Sequence, residues 1–173
     1  MVSDKNRLYI ALYPSGISNN KERKYHWGFL IGPKIENQDQ VPGICCHVKN
    51  RPVGGWIYSE EQLPDVRCIS NLLARILIAK IEDDKRLLNI LRTIPIIQDD
   101  PSWRCRTWIK NALAEMGRDG MAVGTSKLDW QKIEVTARKY VEDKTAAGRY
   151  EREVDLAKPR PTWDMIGNRE SVP

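Results

Sequence analysis

The stretch DPSWRCRTW, residues 100–108, predicts the start of an amphipathic helix that carries a cysteine. Proline suits the first turn of a helix, and carboxylates suit its N-terminus, so Asp99, Asp100 and Pro101 together indicate where the helix begins. Apolar residues then recur every three or four positions up to Gly117, which predicts the C-terminal end. They are Cys105, Trp108, Ile109, Ala112, Leu113 and Met116. Cys105 therefore lies about a turn and a half from the start, on the face that packs against a core.

Upstream of this helix, short apolar runs separated by polar loops predict an antiparallel meander of strands. The runs are 7–13, 25–31, 43–49 and 56–58, and a last run follows at 75–81. The last run also fits a helix, but its isoleucine-rich second half favours a strand. Two further helices are predicted, one after the acidic cap at 82–84 and one over 128–147. The fold class is α+β: an antiparallel sheet of about four or five strands packed against three helices. We expect a single domain over residues 1–150 and an extended polar tail over 151–173.

Composition limits the classes of function. The 173 residues carry a net charge of +5 with no block of like charge, which is typical of a solvated surface and argues against a nucleic-acid partner. The N-terminus has no apolar leader, and no apolar run approaches the length that spans a bilayer. We therefore expect a cytoplasmic protein with four free thiols, no membrane span and no cofactor. Cys45, Cys46 and His47 alternate in direction along a strand, so no metal site is predicted there.

The chain has only two histidines, and both fall on predicted strands. Alternation along 25–31 places Tyr25, Trp27 and its apolar neighbours on the core face. His26 then lies on the opposite face, beside Gly28, where a glycine leaves room for an approaching group. His47 follows on the next strand.

Cys105 is the candidate nucleophile. A thiol reacts as its thiolate, which a helix N-terminus, neighbouring cations and an imidazole all stabilise. Cys105 is near the predicted helix start and lies between Arg104 and Arg106. The residues alone also fit a simpler interpretation. Cysteine on an apolar stripe is often a core residue, His26 alone is often structural, and His47 could be a surface residue.

Three motifs in this order resemble the circularly permuted NlpC/P60 papain-like group, which includes lecithin:retinol acyltransferase-type proteins and PPPDE peptidases. They are HWGFLIGP at 26–33, His47 on the following strand, and W-x-C-x-x-W at 103–108. The helix start also resembles that of an uncharacterised family of small fungal proteins. The resemblance covers about residues 7–117. It implies that Cys105 is the nucleophile, His26 the general base and His47 the residue that orients His26. Two features differ from that group. Position 104 is arginine where its members often have asparagine, and His26 and His47 are farther apart in sequence than the corresponding residues of the acyltransferases.

The expected function is a cysteine-dependent hydrolase or acyltransferase that acts on a small ester, thioester or amide. Tyr25, Trp56, Trp103 and Arg104 are expected to bind the small-molecule substrate. Two alternatives remain open. In one, the same fold carries a repurposed pocket, a non-hydrolytic cyclase, isomerase or binding protein of fungal metabolism, in which Cys105 is dispensable. In the other, the chain is a non-enzymatic interaction module that uses its basic and aromatic surface.

Overall fold

The computed structural model describes residues 4–173. Residues 1–3 lie outside it, and they belong to the N-terminal stretch over which no apolar leader was predicted. Five strands come first, followed by helices and short strands. The strands are β1 (Arg7–Pro14), β2 (Tyr25–Gly32), β3 (Gly43–Arg51), β4 (Gly55–Leu63), β5 (Ala74–Ile81), β6 (Val123–Ser126), β7 (Thr162–Asp164) and β8 (Arg169–Val172). The helices are α1 (Asp84–Thr93), α2 (Cys105–Asp119), α3 (Trp130–Ala146) and the single turn α4 (Glu153–Leu156).

The fold class is α+β, and the strand predicted over 75–81 is confirmed as β5. The strand order β4-β3-β2-β1-β5-β7-β8 contains the predicted antiparallel meander, with β6 paired to β5. The predicted strand number was too low, because the described residues form eight strands. The sheet is also mixed, since β7 runs parallel to β5. The strands that were missed have three or four residues each, too few for alternation to be recognised in the sequence.

The core lies between the sheet and the long helices. The predicted inward face of β2 is buried, and Phe29 stacks edge-on against Trp108 of α2 with ring centroids 5.5 Å apart. Trp27 packs in the same way against Trp130 at the start of α3. A smaller apolar cluster around Leu30 and Cys45 covers the other side of β2 and β3. The sheet therefore has one face covered by the helices and the main core, and a second face, called the thin face below, covered only by the smaller cluster.

Helix α2 begins later than predicted, at Cys105 instead of near Pro101. The reason is local hydrogen bonding, since Asp100 caps its own short turn by accepting from the N–H and hydroxyl of Ser102. Arg104 is then extended, and its N–H donates to Thr107 Oγ1 at 3.1 Å. The helix ends at Asp119 and not near Gly117, and the residue that caps it, Gly120, has a left-handed φ of 66°. The consequence is that Cys105 is the first helical residue.

Residues 151–173, expected as an extended polar tail, instead form α4, β7 and β8 against the body of the protein. The fully buried Arg75 of β5 forms two hydrogen bonds with Glu36 and a third with Thr162 of β7. Trp163 packs on Tyr140 of α3. The charged composition was misleading because these charges are paired within the fold rather than solvated, as in the ion pair of Lys144 with Glu170.

Candidate functional site

The sheet has a gap in its pairing where the two histidines lie. β2 and β3 pair only from Phe29 to Ile31 on the β2 side. Residues 25–28 of β2 and 47–51 of β3 are not paired with one another. Gly28 lies at this boundary, and a Cβ there would come within 3.1 Å of the His47 Cβ. Because Gly28 has no side chain, the His47 side chain can pack beside β2 at this position.

His26 and His47 meet in this gap. His26 Nε2 lies 2.8 Å from His47 Nδ1, and His47 Nε2 lies 3.5 Å from Glu61 Oε1 on β4. An ionised carboxylate only accepts hydrogen bonds, so we assign the His47 proton to Nε2. His47 Nδ1 then accepts from His26 Nε2–H, which leaves His26 Nδ1 as an unprotonated base. Three neighbouring strands thus contribute one relay: His26, His47 and Glu61.

Glu61 is the member of this relay that sequence reasoning missed. It accepts from Ser59 at 3.2 Å and forms an ion pair with Lys49. Its pKa is lowered chiefly by the hydrogen bond from Lys49. The sequence signal was available, because Ser59 and Glu61 alternate onto the face that His47 occupies once the strand is extended past Tyr58. The strand had been predicted to end at Tyr58, whereas β4 continues to Leu63.

The pKa of each imidazole is lowered from its ordinary value, which favours the neutral ring. Burial, together with the smaller effects of His47 and Lys49, lowers the pKa of His26 to about 4. Burial likewise lowers the pKa of His47, although Glu61 opposes this effect by favouring the charged ring. His26 is therefore available as a proton acceptor, and Glu61 is the group that stabilises positive charge on the pair.

Cys105 occupies the first position of α2 and is 7% exposed. The backbone N–H groups of Trp27 and Arg106 interact with its sulfur and favour the thiolate. Burial has the larger effect, however, and raises the pKa of the thiol above its ordinary value. The thiolate expected from the helix start and the flanking arginines is thus not the resting state. Among the described residues, no hydrogen bond joins Cys105 to either imidazole.

Residues of the candidate site line a cavity of about 680 Å³. Cys105, His26 and His47 all line it, as does Glu61. Of the residues expected to bind substrate, Tyr25, Trp56 and Arg104 also line it. Trp103 does not; it is 4% exposed and packs edge-on against Trp56, with ring centroids 5.3 Å apart. Trp103 therefore supports the wall without forming it.

The remaining cysteines form no disulfide within the described residues. Cys46 lies in the main core, and Cys45 lies on the thin face, 3.7 Å from the Tyr13 hydroxyl. Cys68 is exposed. Within residues 4–173, no group of three histidine, cysteine or acidic side chains is arranged to hold a metal ion. Over the same range, no helix is long and apolar enough to cross a membrane.

Comparison with known proteins gave one match. A family model described as "Family of unknown function (DUF6914)" matches residues 5–172, nearly the whole chain. No curated protein and no solved structure matched. The match covers both histidines, Glu61 and Cys105 within a single unit.

Proposed function

The chain belongs to the family of unknown function DUF6914, and from its cavity we propose a cysteine-dependent hydrolase or acyltransferase that acts on a small ester, thioester or amide. The observation that carries the proposal is that Cys105, the first residue of α2, lines the same cavity as a hydrogen-bonded histidine pair. A thiol, a neutral imidazole and a residue that orients this imidazole are the parts that acyl transfer requires.

In the proposed reaction, Cys105 Sγ attacks the carbonyl carbon while its proton passes to His26 Nδ1. Because the resting thiol is neutral, attack and proton transfer occur together, with no preformed thiolate. The carbonyl oxygen becomes an oxyanion, for which the backbone N–H of Cys105 at the start of α2 is a donor, together with those of Trp27 and Arg106. The leaving group departs with the proton from His26. Water or an acyl acceptor then gives a proton to His26 and attacks the acyl carbon. The C–S bond breaks, and His26 returns the proton to Cys105 Sγ.

His47 and Glu61 assist this step through His26. When His26 accepts the proton, positive charge develops on the histidine pair, and Glu61 lies 3.5 Å from His47 Nε2. His47 also holds the His26 ring through the 2.8 Å hydrogen bond. These are positioning roles, since neither residue needs to touch the reacting carbonyl.

We also propose that the topology is that of the permuted NlpC/P60 papain-like group. The support is the order of the elements, with one histidine on β2, a second on the adjacent β3, and the cysteine at the start of a helix that packs on β2. The mixed sheet and the C-terminal strands are additions to the expected arrangement. Arg104 remains a departure from the motif.

The test measures turnover and acyl-enzyme formation with p-nitrophenyl acetate and a matched thioester. We expect Cys105→Ala to abolish the burst of p-nitrophenol and the acetyl adduct seen by intact-protein mass spectrometry. His26→Gln is expected to lower kcat/KM by about a hundredfold or more, the usual contribution of a general base. Cys68→Ala is the matched control because Cys68 is an exposed thiol outside the cavity. An adduct on Cys68 alone, or equal turnover in Cys105→Ala, contradicts the proposal.

A second function is favoured by one observation. Although Cys105 lines the same cavity as the histidine pair, it is buried, has a raised pKa and, among the described residues, forms no hydrogen bond with either imidazole. A repurposed pocket that binds or isomerises a small molecule would use the imidazoles and not the thiol. Cys105→Ala and His26→Gln distinguish the two functions, because only His26→Gln impairs the repurposed pocket.

A further inference from the structure

The wall of the cavity next to Cys105 is basic. Arg23, Arg104 and Arg106 line it together, and the flanking acidic residue is Glu22. Arg106 forms an ion pair with Glu134, with Nη1 and Oε1 2.9 Å apart, and Glu134 also pairs with Arg138. Glu22 lies 3.8 Å from Arg106, and its side chain is 78% exposed. The ion pairs of this wall therefore all belong to Arg106.

Arg104 and Arg23 have no carboxylate partner among the described residues. Within residues 4–173, the Arg104 side chain donates only to the carbonyl oxygen of Pro101, at 2.9 Å. Both side chains are half-buried. Arg104 is also close enough to Arg23 and Arg106 for their charges, after burial, to lower its pKa. Arg104 and Arg23 thus line the cavity with Glu22 nearby but without a carboxylate in an ion pair with either of them, an arrangement that a bound anion would stabilise.

The other residues that line the cavity indicate which part of a ligand would bind to the arginines. Glu61, the other acidic residue of the lining, is engaged by Lys49 and His47. Ile17, Leu63 and Ile69 add apolar surface, and Trp56 adds an aromatic one. A ligand with an anionic end and an apolar or acyl portion matches this division of the cavity.

We propose that Arg104 and Arg23 form an oxyanion-binding subsite, so that the substrate is an acyl compound carrying a carboxylate or phosphate group. The assignment of an acyl substrate rests on the proposed function, whereas the anion subsite rests on the two arginines and the cavity alone. Guanidinium groups bind both kinds of oxyanion through paired N–H donors, so the structure specifies the shared chemistry.

The first experiment measures binding without turnover, by calorimetry on the full-length Cys105→Ala protein. The ligands are succinate, inorganic phosphate and the neutral analogue succinamide. We expect at least one of the two anions to bind and succinamide not to bind. The better anion tells whether the subsite selects carboxylate or phosphate. Arg104→Gln and Arg23→Gln should each weaken binding about tenfold or more, the effect of losing a charge-assisted hydrogen bond.

Two further variants control this result. Arg104→Lys keeps the charge and should restore part of the binding. Arg118→Gln removes a charge from the other end of α2, where the side chain pairs with Glu115, and should leave binding unchanged. Binding of succinamide equal to that of the anions, no binding of either anion, or equal weakening by Arg118→Gln overturns the proposal.

The two proposals fail separately. If Cys105 is not a nucleophile, anion binding to Cys105→Ala is unaffected. If the subsite is absent, turnover of neutral esters by the natural sequence persists, and a succinate monoester gains no advantage in kcat/KM over its neutral methyl-ester analogue.

Discussion

Replacing Glu61 or Lys49 should move the protonation of the histidine pair in opposite directions. Glu61 stabilises the charged form of His47, and Lys49 disfavours the charged form of both His47 and His26. Glu61→Gln should therefore lower the pKa of the pair, and Lys49→Met should raise it. Both side chains are about two-fifths exposed, so either substitution should leave the fold intact.

The size of the effect follows from the separation of the charges. Glu61 Oε1 lies 3.5 Å from His47 Nε2, and its side chain is 41% exposed, so solvent screens the interaction strongly. Coulomb's law at the dielectric constant of water gives about 1 kcal/mol at this separation. If this energy stabilises the imidazolium formed during acyl transfer, Glu61→Gln lowers kcat/KM by roughly fivefold. If the positive charge is on His26 and not on His47, it lies farther from Glu61 and the interaction is weaker. A fivefold loss of kcat/KM is therefore the largest effect expected.

Two measurements report the shift. The acid limb of the pH profile of kcat/KM reflects the base of the free enzyme. It should move to lower pH in Glu61→Gln and to higher pH in Lys49→Met. Independently of activity, the chain has only two histidines, so two imidazole Cε1–H signals can be followed by NMR titration and assigned with His26→Gln. The pair is coupled, and its two apparent pKa values belong to both rings.

The control is Lys139→Met, which removes an equally charged side chain that pairs with Asp143 on α3, outside the cavity. It should move neither the acid limb nor the histidine signals. Shifts of the same sign in Glu61→Gln and Lys49→Met, or no shift in either, would refute the relay of His26, His47 and Glu61.

Three other outcomes follow from the structure. Glu36→Gln leaves the fully buried Arg75 without its carboxylate and should lower the free energy of unfolding by about 3 kcal/mol in urea denaturation. Gly28→Ala places a Cβ 3.1 Å from the His47 Cβ, so it should shift the His47 NMR signal and reduce turnover while the circular dichroism spectrum is retained. The free energy of unfolding should fall as pH decreases from about 6.5 to 4, because His26 has a pKa of about 4 when folded and takes up a proton more readily when unfolded. The contribution of His26 alone to the free energy of unfolding falls by about 3 kcal/mol over this range, and this contribution is fully present above pH 6.5.

Each of these outcomes has a matched control. The double variant Glu36→Gln/Arg75→Met removes both buried charges and should recover much of the stability lost in Glu36→Gln. Gly117→Ala meets no atom within 4 Å of the new Cβ and lies within α2, so it should stabilise the protein slightly. His26→Gln should flatten the stability curve between pH 6.5 and 4. A curve as steep as that of the natural sequence in His26→Gln would assign the pH dependence to other groups.

The secondary structure of the first 150 residues was largely predictable because its signals are local. Alternation along β2 placed Trp27 and Phe29 in the core, and the cap at Asp83 marked the start of α1, where the carboxylate accepts from Arg86 N. The start of α2 was predicted about four residues early. Asp100 and Pro101 fit a helix N-terminus by composition, but Asp100 closes a separate turn.

The C-terminal segment was not predictable in the same way. β7 has three residues, and its position depends on Arg75, more than 80 positions earlier in the chain. Composition alone indicated a solvated tail, since acidic and basic residues alternate there without an apolar period. A buried ion pair such as Arg75 with Glu36 has no local sequence signature, because each partner alone is typical of a surface.

By itself the sequence determined which residues could take part in the site: a cysteine at a helix start and histidines on two neighbouring strands, because short-range periodicity and capping specify direction and position within each element. Only the tertiary structure decided how these residues act. The 2.8 Å contact of His26 with His47, and the addition of Glu61, depend on the register of three strands and on the pairing gap beside Gly28. The protonation of Cys105 was likewise decided by burial, which outweighs the helix start and the flanking arginines. Desolvation is a property of the packed fold, and no single segment of the chain encodes it.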